Sequence, residues 1–273
     1  MPKTIMMVSI SLIGFFLFCS SAVIADDVLV VKGSTTVLPI AQAAAQIYMK
    51  DHPGASITVS GIGSGDGIQE LINKTTDIAD SSRNIKKEEE ILAREKGVHF
   101  MPHPIAIDAI VPIVHPDNPV KNLTIEQLNL IYQGKITNWK NVGGLNKGIV
   151  IISRDINSGT YDTWEEKILH KTTVTPRAEI QESNATVVLA VSKNKFAIGY
   201  IGVGYLNKTV KGIKVNGIEV TTQTAKSGQY PIARPLFMFT DGQPVGIARE
   251  FIGFLLSTEG QRIVKAQGFV PLK

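Results

Sequence analysis

Short apolar runs alternate along this chain with stretches whose hydrophobic residues recur at helical spacing. Val28–Val31 and Ile149–Ile152 are uninterrupted apolar runs, which predict strands covered on both faces in a mainly parallel sheet. Between them, 38–50 sets Ile40, Ala44, Ile47 and Tyr48 on one helical face, and 247–257 repeats the pattern with Ile247, Phe251, Phe254 and Leu255. Ile125, Leu128, Ile131 and Tyr132 predict a third, shorter helix before Gly134. Each stripe is a core face, and the alternation predicts an α/β class. Two stretches break the rhythm. Phe100 to His115 is mostly apolar but carries Pro102, Pro104 and Pro112, too broken for one helix and too long for an ordinary strand. Tyr230 to Thr240, with Pro231 and Pro235, is similar. Crossings between two lobes explain both. They divide the chain into a discontinuous lobe, 26–111 plus 230–273, and a second lobe, 112–229.

The first 25 residues stand outside this pattern. Lys3 gives a basic start, Ile5 to Phe18 is apolar, and Val23-Ile24-Ala25 places small residues before Asp26. This is the layout of a secretory signal peptide over 1–25. A retained anchor is the rival, but the run falls short of the ~20 apolar residues that span a bilayer. Cys19, the single cysteine, raises lipidation, but the bulky Phe18 precedes it where a small residue is needed. Cleavage after Ala25 leaves no cysteine and a fold held by its core. The formal charge of +4 is spread along the chain. Lys86-Lys87 runs straight into Glu88-Glu89-Glu90, a solvated helix face and no nucleic-acid stripe.

The candidate chemistry lies where predicted strands give way to helices. Gly33-Ser34-Thr35-Thr36 follows the first strand, with Pro39 suited to a first helical turn. Gly61-Ile62-Gly63-Ser64-Gly65-Asp66-Gly67 follows Ile57–Val59. Its glycines allow close backbone approach to a ligand, but Asp66 replaces the third glycine of a dinucleotide fingerprint and no Gly-Lys-Ser/Thr follows. Arg154 and Ser158-Gly159-Thr160 follow the run ending at Ile152, before a potentially helical stretch from Tyr161 to Leu169. Asp80-Ser81-Ser82-Arg83 follows Ile78-Ala79, with Arg83 expected at the surface. One such junction is ordinary N-capping. Several together converge unpaired N–H groups, hydroxyls and a guanidinium fork, the donor set of a tetrahedral oxyanion site. The five histidines show no helical metal pair, because Pro102 separates His99 from His103. Ser64 lacks the glycine at −2 of a nucleophile elbow. No metal, cofactor or catalytic group is expected. The Asn-x-Ser/Thr sequons at Asn73, Asn122, Asn184 and Asn207 read as coincidence behind a bacterial-looking leader.

Taken together, the chain resembles the periplasmic phosphate-binding proteins of Pst-type ABC importers over nearly its whole mature length. The resemblance rests on Gly33–Thr36, Gly61–Ser64, and Arg154 with Ser158-Gly159-Thr160. Gly134-Lys135-Ile136-Thr137-Asn138-Trp139, Ala197–Tyr200, Tyr230-Pro231 and Gly268–Pro271 add to it. It implies a two-lobed type II periplasmic binding protein fold, each lobe a mixed, mostly parallel sheet flanked by helices. It also implies an extracytoplasmic monomer that captures inorganic phosphate and delivers it to ABC permease subunits. By position, Thr35, Thr36, Ser64, Ser82, Arg154, Ser158, Gly159 and Thr160 are the phosphate-binding residues, with Asp155 or another carboxylate expected to hold the Arg154 guanidinium. Ser82 stands where some relatives carry an aspartate that accepts the proton of hydrogen phosphate, leaving Asp66 and Asp80 as candidate acceptors. The rival readings are a phosphate-ester hydrolase and an adhesion or signalling protein that reuses the fold.

Overall fold

The computed structural model describes residues 27–273; the leader, its cleavage site and Cys19 lie outside the described residues. The first lobe opens with β1 (Asp27–Gly33), α1 (Leu38–Asp51), β2 (Ala55–Gly61), α2 (Ser64–Ile72), β3 (Ile78–Ser81) and α3 (Lys87–Glu95). β4 (Phe100–Val114) then leads into the second lobe. That lobe holds β5 (Asn122–Leu123), α4 (Ile125–Tyr132), β6 (Val150–Arg154), α5 (Gly159–Trp164), β7 (Glu179–Gln181) and α6 (Asn184–Lys193). It ends with β8 (Ala197–Gly202), β9 (Lys211–Gly212), β10 (Lys214–Val215) and α7 (Thr222–Lys226). β11 (Ala233–Asp241) returns to the first lobe, which α8 (Gly246–Leu256) and α9 (Thr258–Ala266) complete.

The strands run β2-β1-β3-β11-β4-β8-β6-β7 in one sheet, with β9 also on β4. β1 pairs in parallel with β2 and β3, and β6 in parallel with β7 and β8, while β11 and β4 are antiparallel to their neighbours. The resemblance implied a sheet in each lobe; β4 and β11 join the two into one. Residues 100–109 of β4 pair with β11 and 110–114 with β8, so the proline-broken stretch is a single 15-residue strand. Pro102 and Pro104 lie where only β11 pairs with β4, the edge setting in which a missing N–H is tolerated. A register shift of β11 at Leu236/Phe237 accommodates them.

Two main cores form: Leu29, Ile40, Ala44, Leu236, Phe251 and Val264 pack in one, and Leu128, Tyr132, Trp139, Trp164 and Tyr200 in the other, which Tyr230 and Ile232 before β11 also enter. The three predicted helical stripes therefore face cores. β1 departs from expectation: Leu29 and Val31 are buried but Val28 is 58% exposed, so only one face of its outer end is covered. Among the described residues, no helix is long and apolar enough to cross a membrane.

Candidate functional site

Four strand ends deliver their loops to one place between the lobes. After β1, Gly33 turns with φ of 142°, a left-handed value that suits glycine, and Ser34 N–H donates to the Asp80 carbonyl at 2.8 Å. Ser34 Oγ then closes the turn before α1 by accepting from the Thr36 and Val37 amides. That turn occupies the Ser34 hydroxyl and leaves those of Thr35 and Thr36 turned toward the other loops. After β6, Ser158 Oγ caps α5 by accepting from Tyr161 N at 3.3 Å. The helix predicted over Tyr161–Leu169 ends at Trp164 and widens into a π-type turn over Glu165–Leu169.

The predicted residues meet across the lobe boundary. Arg154 Nη2 reaches Thr35 Oγ1 at 3.3 Å, and Thr36 Oγ1 lies 3.0 Å from Thr160 Oγ1. Ser64 Oγ lies 3.3 Å from Ser82 Oγ and accepts from Ser82 N at 3.1 Å. Gly159 packs directly against these serines: a Cβ there would lie 2.6 Å from Ser64 Oγ and 2.7 Å from Ser82 Oγ. Beside them Gly65 N donates to the Asn157 carbonyl at 2.9 Å, and Tyr205 OH donates to the Thr35 carbonyl at 2.5 Å.

The charges are less evenly arranged. Three arginines are buried among the described residues, Arg83, Arg154 and Arg234. Arg83 donates to Glu89 from both terminal nitrogens, at 2.7 and 2.6 Å, and from Nε to Asp162 at 2.6 Å. Burial pulls its pKa down, but those two carboxylates outweigh it and the net shift is upward. Arg234 donates from Nε and Nη2 to Asp108 Oδ2 at 3.0 and 2.8 Å. Arg154 is different. Its Nε and Nη2 donate to the carbonyls of Gln181 and Glu182, at 3.0 and 2.9 Å, and its Nη1 is buried with no partner among the described residues. Asp155, expected to hold it, comes only to 3.7 Å from Nη2 and turns its Oδ1 to the Asn157 amide instead. Arg154 is 1% exposed, and burial lowers its pKa from the ordinary guanidinium value. A buried cation with a spare donor and no hydrogen-bonded carboxylate is a place where an anion gains most.

Tyr200 fixes the position of that cation. Its ring stacks on Trp164 with centroids 4.2 Å apart, and its hydroxyl accepts from Arg154 N at 3.2 Å.

The two candidate proton acceptors are placed differently from expectation. Asp66 faces Asn157 Nδ2 at 3.3 Å across the lobe boundary. Burial raises its pKa, against the lowering effect of that hydrogen bond. Asp80 is wholly buried, its Oδ1 has no partner among the described residues, and burial holds its carboxyl well above the usual carboxylate range. Among the described residues no group of three or more His, Cys, Asp or Glu could hold a metal ion.

Sequence reasoning missed Arg234, Asp108, Asn184 and Tyr205. Asn184, read as a chance sequon, is fully buried, and its Nδ2 donates to Thr35 Oγ1 and Thr36 Oγ1 at 3.2 and 3.0 Å. Arg83, expected at the surface, is 9% exposed and binds a carboxylate of the opposite lobe, because Asp162 at the start of α5 meets the loop after β3. Arg234 and Asp108 sit opposite each other in the β11–β4 register, a pairing that no local pattern announces.

Residues 20–259 match the PBP superfamily domain. The phosphate-binding protein PstS of Staphylococcus epidermidis is 36% identical over 244 residues, covering 84% of this chain and 74% of that protein. PstS of Borreliella burgdorferi is 34% identical, covering 91% of each. A crystal structure from Clostridium perfringens, described as a phosphate ABC transporter substrate-binding protein with bound phosphate, superposes with a TM-score of 0.83. It is 34% identical and covers 90% of this chain and 100% of that one. With this match in sequence and fold, the chain belongs to the PBP superfamily and, within it, to the PstS phosphate-binding protein family.

Proposed function

We propose that this protein captures one inorganic phosphate between its lobes, outside the cytoplasm, and delivers it to the permease of an ABC importer. The observation that carries the reading is the buried Arg154, whose Nη1 has no partner among the described residues and which sits beside the Thr35 hydroxyl. Arg154 and Thr160, with Thr35, Thr36, Ser64 and Ser82 opposite, line the site, and the Ser158 hydroxyl and the Gly159 amide at the start of α5 complete it. The names of the relatives and the phosphate in the Clostridium structure support phosphate as the anion. The lobes, 26–111 plus 230–273 and 112–229, close by rotation about β4 near 104–112 and β11 near 230–238, since hinges fall at a few residues shared by both bodies.

The test is calorimetric titration of the protein from Asp26 onward, after exhaustive dialysis, with phosphate, sulfate and arsenate. One phosphate per chain and a raised unfolding midpoint are expected, since a ligand of the folded state stabilises it. Neither heat nor stabilisation at saturating phosphate would overturn the reading.

A further inference from the structure

Arg234 lies on β11 in register with Asp108 on β4, so this ion pair joins the two strands that connect the lobes. Its charge is answered there, since the Arg234 and Asp108 side chains are 4% and 0% exposed and bound through two nitrogens. Its remaining donors go elsewhere. Nη1 donates to the Gly159 carbonyl at 2.8 Å and Thr163 Oγ1 at 3.3 Å, and Nη2 to Thr160 Oγ1 at 2.9 Å and, more weakly, to Thr36 Oγ1 at 3.4 Å.

A hydroxyl has one proton to give and two lone pairs to receive with. Asn184 settles the direction at Thr36. Its Oδ1 accepts from Gly202 N at 3.1 Å, so the side-chain nitrogen is the atom turned to the threonines. Thr36 Oγ1 therefore receives from Asn184 and Arg234 and has only its proton left to offer. Thr160 Oγ1, 3.0 Å away, takes that proton. Thr160 then receives from both Arg234 and Thr36, and its own O–H has nowhere to point within the network.

We propose that Arg234, neutralised by Asp108, is a positioning residue of the anion site. It acts with Asn184 through a directional relay, Asn184 and Arg234 to Thr36 to Thr160, that commits the Thr160 hydroxyl to donate to the bound anion. The inference rests on the phosphate-binding reading. It assigns Thr36 a role one step back from the ligand: its hydroxyl turns Thr160 and does not itself touch the anion. A hydroxyl committed in this way need not reorient when the anion arrives, which is the advantage of preorganised donors. Because the relay joins Thr36 of the first lobe to Thr160 of the second, it is complete only when the lobes are together.

The experiment is a double-mutant cycle read by phosphate titration, with the ligand-free unfolding midpoint recorded for every variant. Replacing the ion pair as a unit, Arg234→Met with Asp108→Leu, avoids leaving a buried charge unpaired. In the wild-type background it should weaken phosphate binding about tenfold, the scale of one well-made hydrogen bond. In a Thr160→Val background the same replacement should change affinity less than about twofold, and Thr160→Ser should restore its full effect. A loss that persists undiminished without the Thr160 hydroxyl would show that Arg234 merely holds the fold, and would overturn the proposal. Should the ion-pair variant not fold, Thr36→Val, nearly isosteric, replaces it in the same cycle. It should weaken binding when Thr160 is present and be silent when position 160 is valine; equal losses in both backgrounds overturn the relay. Failure of the wild-type protein to bind phosphate would instead overturn the functional reading, and this inference with it.

Discussion

Arg83 Nε and Asp162 Oδ2 meet at 2.6 Å, tying the loop after β3 in the first lobe to α5 in the second. Lys86 reaches the other oxygen of Asp162 at 2.9 Å, and Glu89 holds the far side of the Arg83 guanidinium. None of these groups is in the hydroxyl cluster around Arg154. The ion pairs form a latch between the lobes beside the site.

The latch should contribute to affinity without touching the anion. Asp162→Asn should weaken phosphate binding by about 1–2 kcal/mol, between the values of an exposed pair and of a broken buried one. Wild-type affinity should also fall more steeply with ionic strength than the variant's. Titrations at low and high salt check this, and parallel salt dependences would remove the latch from the closing energy.

Arg154 should be the largest single contributor to affinity. Arg154→Ala removes the unmatched cation and should cost roughly 2–5 kcal/mol of phosphate binding, in line with truncated buried charge pairs. Lysine keeps the charge and loses the fork, so Arg154→Lys should fall between wild type and alanine. Calorimetry orders the three, and an alanine variant within about threefold of wild type, under 1 kcal/mol, would place Arg154 outside the site.

Gly159 lets the lobes approach. The Cβ of Gly159→Ala would meet Ser64 Oγ and Ser82 Oγ inside contact distance. Those serines belong to the first lobe and Gly159 to the second, so opening relieves the clash and the variant should fold normally. Its phosphate affinity should fall at least about tenfold, in keeping with the cost of overpacking a well-packed contact. Small-angle scattering at saturating phosphate should report a larger radius than for wild type.

Much of this site was legible because its chemistry is local. Gly33–Thr36, Gly61–Ser64 and Arg154–Thr160 each combine small residues, hydroxyls and a strand-to-helix junction within a few positions, and the structure brings all three together. Arg234, Asp108 and Asn184 were not legible for the opposite reason. Arg234 and Asp108 interrupt apolar strands with no neighbouring cue, and their partnership is a matter of β-register over a separation of 126 residues. Asn184 caps no helix and sits in no loop motif; its role comes from where Gly202 and Thr36 fall in space. Arg83 misled because Lys86-Lys87 and the glutamates after it look solvated, whereas Glu89 and, from α5 of the other lobe, Asp162 enclose its guanidinium. The stretch 100–115 looked too broken for a helix and too long for a strand, whereas it is one strand that changes partner, from β11 up to 109 to β8 from 110 onward.

Asp80 should make stability fall as pH rises. An acid whose folded pKa lies above its unfolded value, about 3.9 for aspartate, contributes stability fully below that value and loses it as pH climbs through the folded pKa. Burial shifts Asp80 in this direction. Asp80→Asn should therefore match wild type at about pH 4 and melt progressively higher than wild type as pH rises toward neutrality. Thermal unfolding without phosphate checks the sign, and a gap that widened toward acid would refute it.

β11 lies between β3 and β4 in the sheet, yet it is the last strand in chain order. A chain emerging from its N-terminus can assemble β1 to β3, and later the second lobe, but the strand that zips them together does not yet exist. Until residues 233–241 arrive, the facing edges of β3 and β4 have no partner, and open edges invite pairing with other chains. The contacts that end this exposure span more than 120 residues and form late. The last of the described strands thus completes both the sheet and the hinge in one step.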